Sequence, residues 1–440
     1  MAENQKPLTP AFTNPPAEEA AMPHVVIIGA GFAGLETASR LGGKKVRVTL
    51  IDRHNYHLFV PLLYQVATAA LSPADVAQPI RQILRRHDNI EVLMAEVRGI
   101  DPVTRHVQLA GLPDLHYDRL VIATGSVYSY FGHPEWAEFA PSIKSIEDAR
   151  HIRARVLSCF ERAETSRDPD EQHALTTTIV VGGGPTGVEI AGAIAELGRH
   201  ALKRDFRHID PQDSRVILIE ALPRILNTFP EELGDYALNA LEELGVTVMT
   251  GQPVETITRE GVTVGGQLIR AGTIIWGAGV QATPAAKWLG VEADRAGRIM
   301  VGRDLSVSGL DGVFAMGDVA HTPDEAGKPL PALAQVAKQQ GQFLGPALAA
   351  NLLEGKPIGT FHFKNRGNTA VIGRHAAIFD FGKRRLRGWF AWMLWGFVHV
   401  YLLVGFERRA LVSLQWLWRY MTYQQGARLI TWSDGRKPEL

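Results

Sequence analysis

Two clusters of glycines are the residues of this chain whose spacing most clearly predicts chemistry. Each cluster follows the pattern Gly-x-Gly-x-x-Gly, in which the first glycine permits a tight turn, the second admits a pyrophosphate and the third allows close helix packing. The two sets are Gly29, Gly31 and Gly34, and Gly182, Gly184 and Gly187. Two such sets predict a protein that holds two dinucleotides at once and passes electrons from one to the other.

Both glycine clusters lie in the sequence context that a phosphate-binding loop needs. Each follows an apolar run of β type, residues 24–28 and 178–181, and precedes a helix-like stretch. The free amides and the positive end of the helix dipole would then bind a phosphate. The alternative is one functional site beside a second unit that has lost its nucleotide.

An acidic residue ends the strand that follows each cluster. Asp52 lies 18 residues after Gly34, close to the ~20 expected for an acid that binds a ribose hydroxyl. Glu220 lies 33 residues after Gly187, because residues 198–213 predict a lengthened helix and loop. We assign both acids to a ribose, and since an acid repels a 2′-phosphate, Glu220 favours NADH over NADPH.

Three further strands end in residues that suit a dinucleotide site. One ends in Thr124 and Gly125, a second leads to Gly279, and a third ends in Gly317 and Asp318. The first two of these strand ends repeat each other, one for each glycine cluster. The order of elements predicts an α/β fold with two Rossmann-type domains, the second inserted into the first.

Composition excludes several classes of function. The 46 basic residues equal the 46 acidic residues, so the chain as a whole gives no indication of nucleic-acid binding. Cys159 is the single cysteine, which excludes an internal disulfide, and no spacing of His, Cys or carboxylates predicts a metal site. Residues 1–22 are rich in Pro, Ala and Glu and predict a disordered arm. They lack the pattern of a signal peptide, so we expect a cytosolic redox compartment.

The last part of the chain is basic and aromatic. Residues 381–430 hold eight Lys or Arg and one acid, and six of the nine tryptophans lie after residue 388. Residues 389–406 carry no permanent charge, and their 18 positions meet the lower length bound for a transmembrane helix. Four residues of a following helix share one face: Leu411, Leu414, Trp418 and Met421. This pattern is typical of a helix that lies in the headgroup layer, and the alternative is a helix pair buried in a dimer interface.

Together these motifs resemble those of the two-dinucleotide-binding-domain flavoproteins and, within them, the type II NADH dehydrogenases. The more specific matches are residues 55–68, 183–189, 334–341, 388–395 and 426–431, and the resemblance covers residues 23–432. It implies five segments: a disordered arm at 1–22, a first FAD-domain part at 23–144, an NADH domain at 145–279, a second FAD-domain part with a quinone-site helix at 280–359, and a membrane-anchoring region at 360–440.

The resemblance also implies which residues hold the cofactors. FAD would be held by Gly29, Gly31, Gly34, Asp52, Thr124, Gly125, Gly317 and Asp318, with Asp318 at the ribityl chain. NADH would be held by Gly182, Gly184, Gly187, Glu220 and Gly279. The alternative for Asp318 is an ordinary turn aspartate.

The electron acceptor must be external, because relatives that use an internal acceptor need a cysteine pair and this chain has Cys159 alone. Gln335 and Gln339 are four residues apart and share one helical face, and the resemblance implies that they contact a quinone head. The alternative is two ordinary surface glutamines. Glu189 either stabilises the start of its helix or corresponds to a family glutamate that contacts nicotinamide or handles protons.

The sequence therefore predicts a peripheral flavoenzyme on the cytoplasmic face of the cell membrane. It would pass a hydride from NADH to FAD and two electrons to a membrane quinone without pumping protons, and it would contact lipid through residues 384–430. A homodimer is a further expectation. Two alternatives stay open: a soluble NADH-dependent reductase of a small redox protein such as a ferredoxin, which needs no tryptophan-rich tail, and a non-enzymatic flavin-bound redox sensor, which needs no glutamine pair.

Overall fold

The computed structural model describes residues 21–402, 406–422 and 427–431 of the chain. The described residues form two compact units, each assembled from three stretches. Unit 1 draws on Met1–His57, Gln78–Val127 and Val280–Asn365. Unit 2 draws on Leu58–Ala77, Tyr128–Gly279 and Arg366–Leu440. Nearly all of the arm expected at residues 1–22 lies outside the described residues.

The two units differ from the expected domain boundaries at several places. The division after Gly279 coincides with the expected one, whereas the first division falls after Val127 instead of residue 144. Unit 2 also includes Leu58–Ala77, which the sequence assigns to the first FAD-domain part. The assignment of these segments to particular nucleotides stays a prediction.

The described strands follow one another along both units. In chain order they are β1 His24–Ile28, β2 Arg47–Asp52, β3 Tyr56–Leu58, β4 Ala77–Pro79, β5 Ile90–Met94, β6 Val97–Asp101, β7 His106–Leu109, β8 Leu115–His116, β9 Arg119–Ile122, β10 Ser126–Tyr128, β11 Thr177–Val181, β12 Arg215–Glu220, β13 Val246–Thr250, β14 Val254–Ile257, β15 Gly261–Val264, β16 Gln267–Arg270, β17 Thr273–Trp276, β18 Val280–Ala282, β19 Ile299–Met300, β20 Val313–Ala315, β21 Ala320–His321, β22 Asn368–Gly373, β23 Ala376–Asp380 and β24 Arg385–Arg387.

The described α-helices alternate with these strands in the nucleotide-binding parts. They are α1 Phe32–Leu41, α2 Leu63–Ala67, α3 Pro73–Val76, α4 Ile80–Leu84, α5 Ile146–Thr165, α6 Pro169–Leu175, α7 Pro185–Glu196, α8 Glu231–Glu243, α9 Ala285–Leu289, α10 Ala334–Glu354, α11 Trp389–Leu402 and α12 Phe406–Thr422. Helix α7 continues as a π-helical turn at Leu197–Ala201, at the start of the lengthened connection that the sequence predicts before β12.

Unit 1 is built on a parallel sheet of five strands in the order β20-β9-β1-β2-β5. The central strand β1 is buried along its whole length and apolar after His24, as expected for a strand covered on both faces. Helices α1 and α10 pack so closely that a Cβ at Gly341 would lie 2.6 Å from the carbonyl oxygen of Ala33. The first glycine cluster therefore follows the central strand, at the carboxyl edge of the sheet.

Unit 2 repeats this arrangement with a parallel sheet in the order β13-β12-β11-β17. Its central strand β11 is buried throughout, and the second glycine cluster follows it. In both units the strand that ends in the acid lies on one side of the glycine strand, and the strand that ends in the Ala-Thr-Gly or Gly-Ala-Gly motif lies on the other. The prediction of an α/β fold with two Rossmann-type sheets is confirmed.

Unit 2 also contains the aromatic helices near the end of the chain. The indoles of Trp395 in α11 and Trp416 in α12 stack with their ring centroids 5.3 Å apart. None of the described helices is long and apolar enough to cross a bilayer. Leu411, Leu414 and Trp418 have exposed side chains, whereas the side chain of Met421 lies outside the described residues.

Candidate functional site

The first glycine loop has the geometry that a pyrophosphate requires. Gly29 has a φ of +100°, and a Cβ there would lie 2.4 Å from the carbonyl oxygen of Ala123. A Cβ at Gly34 would lie 1.8 Å from the Gly29 carbonyl oxygen, so both outer glycines are fixed by close packing. The middle residue, Gly31, has no atom within 4 Å of the place where its Cβ would stand. The loop therefore leaves open space at the position where a phosphate would approach the backbone.

The second glycine loop has the same three features. Gly182 has a φ of +108°, and a Cβ there would lie 2.7 Å from the backbone nitrogen of Ala278. A Cβ at Gly187 would lie 1.8 Å from the Gly182 carbonyl oxygen, whereas the space around Gly184 is open. Both loops thus fit a dinucleotide, which argues against a second unit that has lost its nucleotide.

The two acids also have equivalent surroundings in the two units. Asp52 accepts hydrogen bonds from the backbone N–H groups of Ala30 at 2.7 Å and His54 at 2.8 Å. Glu220 accepts from Gly183 at 2.6 Å and Leu222 at 2.8 Å. Each acid therefore holds its glycine loop in place, a role that sequence reasoning missed. Because a carboxylate has about four acceptor sites, the assignment to a ribose stays open as a prediction.

Asp318 and its neighbour Gly317 form a hydrogen-bonded turn in unit 1. Asp318 Oδ2 accepts from Ser126 Oγ at 2.7 Å, and the Gly317 N–H donates to Gln340 Oε1 at 2.7 Å. The Gln340 amide donates in turn to Thr322 Oγ1 at 2.9 Å, and the side chain is fully buried. Sequence reasoning missed Gln340, although it lies on the apolar face of α10 together with Val336, Ala337, Gly341 and Leu344.

The two glutamines expected at the quinone lie near the start of α10. Gln335 is half-buried in the first turn of the helix. Gln339 donates its amide to the Lys364 carbonyl at 3.0 Å and accepts from the Lys364 N–H at 3.0 Å. A quinone could contact the Gln339 amide only after these two hydrogen bonds break. Their role as acceptor residues stays a prediction.

Glu189 lies in α7, two residues after Gly187. Its Oε1 accepts from the Val371 N–H at 3.4 Å. Part of the residue's surface stays exposed, but the carboxyl group is enclosed, and burial raises its pKa to about 8. A carboxyl with this pKa is mostly neutral at pH 7, so it does not stabilise the helix dipole as an anion but can hold and release a proton.

Unit 2 contains a cavity of about 560 Å³ beside this helix. Most of its wall is apolar or aromatic, and it is completed by Glu196, His200 and Arg374. The indole N–H of Trp416 donates to Gln65 Oε1 at 3.1 Å, whereas the buried indole N–H of Trp395 has no hydrogen-bond partner among the described residues. Other wall residues are Tyr64, Trp389, Trp392, Met393, Phe397 and Val400. The cavity is suited to an apolar ligand that carries a hydrogen-bond acceptor.

Cys159 and the carboxylates do not form redox or metal centres in the described part of the chain. Cys159 is buried in α5, and burial raises the pKa of its thiol, which disfavours the reactive thiolate. Among the described residues, no group of three or more His, Cys, Asp or Glu side chains could hold a metal ion.

The chain is similar to known proteins over most of its length. Residues 23–341 match the family model described as pyridine nucleotide-disulphide oxidoreductase. The chain is 39% identical over 436 residues to a type II NADH:quinone oxidoreductase of Mycobacterium tuberculosis, covering 95% of this chain and 93% of that protein. It is 32% identical to the type II NADH:quinone oxidoreductase of Staphylococcus haemolyticus over 80% of this chain and 88% of that protein. The solved structure of NDH2 from Plasmodium falciparum in complex with NADH superimposes with a TM-score of 0.86 at 21% identity, covering 93% of this chain and 100% of the other.

Proposed function

Since this chain belongs to the type II NADH:quinone oxidoreductases, within the pyridine nucleotide-disulphide oxidoreductase family, we propose that unit 1 binds the FAD and unit 2 binds the NADH of its reaction. The enzyme oxidises NADH and reduces a quinone through FAD. The observation that carries the proposal of two bound dinucleotides is the pair of glycine loops, each closely packed at its outer glycines and open at its middle glycine. When bound, FAD accepts a hydride from NADH and passes two electrons to the quinone.

We assign each pyrophosphate to a glycine loop and each ribose to the acid beside that loop. The loop at Gly31 would receive the FAD pyrophosphate, and Asp318 the ribityl chain. The loop at Gly184 would receive the NADH pyrophosphate, and Glu220 would bind the adenosine ribose and repel the 2′-phosphate of NADPH. Each acid keeps acceptor capacity beyond its two backbone hydrogen bonds, as this role requires.

For the quinone, the proposal places the molecule in the cavity of unit 2. Gln335 of α10 is the competing candidate for the hydrogen bond to a quinone carbonyl. The cavity of unit 2 has a volume within the ~300–1,000 Å³ typical of ligand sites and a largely aromatic wall, which suits an isoprenoid chain. The unpaired indole N–H of Trp395 would be satisfied by an oxygen of the bound ligand. A ferredoxin-type acceptor would have no use for such a cavity.

Quinone reduction by NADH consumes one proton in addition to the hydride, because NADH, a proton and a quinone yield NAD⁺ and a quinol. Glu189 would supply or relay this proton. Its pKa of about 8 means that the carboxyl is protonated at pH 7 yet can be deprotonated and reprotonated during turnover.

We also assign lipid contact to the exposed side chains of the aromatic helices. Phe390, Met393, Phe397 and Tyr401 recur on one face of α11 at helical spacing, and all are at least half exposed. Leu414, Leu417 and Trp418 are exposed on α12. An exposed apolar face of this kind beside basic residues fits a helix pair that lies on the membrane surface, on its cytoplasmic side. Dimerisation through the same face is the competing proposal.

The test uses the purified full chain loaded with FAD. NADH-dependent reduction of a short-chain quinone is expected, and its absence would refute the proposed reaction. Flotation with anionic vesicles tests the membrane surface: replacing Phe390 and Phe397 by serine should release the protein from vesicles, while replacing the exposed Leu268, which lies outside these helices, should not. If the serine variant floats like the wild type, the assignment of this face is wrong.

A further inference from the structure

Phe131 in unit 2 combines a strained backbone with an exposed ring. Its φ is +51°, in the left-handed region that bulky side chains rarely adopt. Its side chain is 65% exposed. The ring meets the Trp276 indole edge-on, with the ring centroids 6.1 Å apart, yet most of the side chain stays exposed.

Other apolar residues with positive φ among the described residues differ from Phe131 in burial. Ala69, Leu226 and Leu305 also have positive φ, but each of these side chains is buried in a core, which offsets the backbone strain. Phe131 gains no comparable burial. Strained residues that persist without such compensation occur mainly at ligand and active sites.

The loop that carries Phe131 is held firmly in place. The indole N–H of Trp276 donates to the Ser129 carbonyl at 3.0 Å, and the Tyr130 ring stacks on the same indole at 5.0 Å. The Ser129 N–H donates to the Gly279 carbonyl at 3.3 Å. The Phe131 ring lies directly over Gly279, so that a Cβ there would be 2.4 Å from its Cζ. The strained loop thus presents an aromatic ring at the end of β17.

The end of β17 is where one half of a dinucleotide bound to unit 2 must lie. Dinucleotides bind across the carboxyl ends of the strands, with the pyrophosphate on the glycine loop. The loop after β11 is flanked by Glu220 at the end of β12 and by Gly277 and Ala278 at the end of β17, against which Gly182 packs. If Glu220 binds the adenosine ribose, the nicotinamide half extends toward β17 and Phe131.

We propose that the exposed ring of Phe131 contacts the nicotinamide half of NADH and positions it. The inference rests on the proposed assignment of NADH to unit 2. A planar apolar ring suits the nearly planar, uncharged dihydronicotinamide ring, because a phenyl ring packed against it removes apolar surface of both rings from water. Phe131 is then a determinant of affinity for the nicotinamide half, separate from the residues that hold the pyrophosphate and adenosine.

The test compares NADH with ADP-ribose, which lacks the nicotinamide ring. The FAD-loaded full chain is mixed anaerobically with NADH, and the Kd is taken from the concentration dependence of flavin reduction. Phe131→Ala should raise this Kd roughly 2- to 10-fold, the affinity change expected when one apolar ring contact is lost. The inhibition constant of ADP-ribose should change by less than about twofold, because its contacts are intact.

Three further variants separate the effect of the Phe131 ring on NADH affinity from the effect of the backbone strain. Phe131→Gly removes both the ring and the strain, so it should weaken NADH binding as Phe131→Ala does. Phe131→Tyr should retain the wild-type Kd, whereas Phe131→Leu should lose affinity because its side chain is not planar. The matched control is Phe381→Ala, since Phe381 is 43% exposed in the same unit but stacks on Phe379 at 5.3 Å. This control should leave both constants unchanged.

The proposal is overturned if Phe131→Ala binds NADH with the wild-type Kd. It is also overturned if the substitution weakens the binding of ADP-ribose as much as the binding of NADH, because Phe131 would then only shape the loop. Recovery of affinity in Phe131→Gly would place the defect in the backbone and overturn it too. Failure of the proposed function has a different signature, because the wild-type flavin would then not be reduced by NADH at all.

Discussion

Glu189→Gln should make the enzyme more stable at alkaline pH and leave its stability unchanged at acid pH. Glutamine keeps the shape of the side chain and can still accept the hydrogen bond from the Val371 N–H. It cannot ionise, so the substitution removes only the cost of charging an enclosed carboxyl group. The prediction therefore isolates one physical effect, desolvation of a carboxylate.

The magnitude follows from the two pKa values of Glu189. Burial raises the pKa from 4.5 to about 8, and at about 1.4 kcal/mol per pKa unit this difference corresponds to about 5 kcal/mol at most. Solvent at the exposed part of the residue reduces the effect, and we expect about 2–3 kcal/mol. Between these pH values the folded state binds one more proton than the unfolded chain, so the free energy of unfolding falls as the pH rises. Below 4.5 both states are protonated, and wild type and variant should be equal.

The assay is thermal unfolding of the FAD-loaded protein at a series of pH values from about 5 to about 9. At the alkaline end the variant should unfold roughly 5–10 °C above the wild type, and the gap should close at the acid end. The chain offers a matched control in Glu36, which also lies two residues after the third glycine of its loop. Glu36 pairs with Arg40 at 2.9 Å, and an ion pair of this kind contributes little, so Glu36→Gln should give no comparable pH-dependent gap. A Glu189→Gln variant that unfolds at or below the wild-type temperature at alkaline pH would refute the reasoning.

Four further predictions test the sites separately. Gly184→Ala should fold normally but bind NADH more than about tenfold more weakly in a titration, because the new Cβ would occupy the space open to the pyrophosphate. Gly187→Ala should instead lower the unfolding temperature, because its Cβ would overlap the Gly182 carbonyl oxygen. Gln340→Leu should lower stability by about 1–3 kcal/mol in chemical denaturation and speed the release of FAD, since a backbone N–H loses its buried acceptor. Trp395→Phe should raise the KM for quinone roughly 2- to 10-fold in steady-state assays with the KM for NADH unchanged. Glu220→Ala should reduce the preference for NADH over NADPH in competition assays, and an unchanged preference would contradict its assignment to the ribose.

Local motifs explain why the geometry of the two glycine loops could be predicted from the sequence. The spacing of the glycines and the apolar strand before them specify a turn whose geometry depends on a few neighbouring residues. Residues 31 and 184 are open and residues 34 and 187 are closely packed, as the motif alone requires. The hydrogen bonds from Asp52 and Glu220 back to their own loops could not be predicted, because they depend on the side-by-side register of two strands.

Residues that act through tertiary packing could not be located in this way. Gln339 and Gln340 are adjacent in sequence, yet one binds the backbone at Lys364 and the other is buried beneath Gly317. Which of the two glutamines is buried depends on the rotation of α10 about its own axis where it packs against α1. The cavity of unit 2 has walls from residues 64–70, 193–201 and 371–417, which no local pattern connects.

The internal repeat shows where sequence reasoning reaches its limit. Both loops are followed by glutamate at the same offset, so the offset alone does not distinguish Glu36 from Glu189. Tertiary packing gives them different environments: Glu36 has a cationic partner one turn along its helix, whereas Glu189 faces the backbone of β22 and stays neutral near pH 7. Helix α7 continues from Glu189 to Ala193 and Glu196, which line the cavity, so this helix begins at the second glycine loop and ends at the proposed quinone site. The two glycine loops therefore share their geometry, but the helix after the second loop carries an enclosed carboxyl group that is mostly neutral at pH 7.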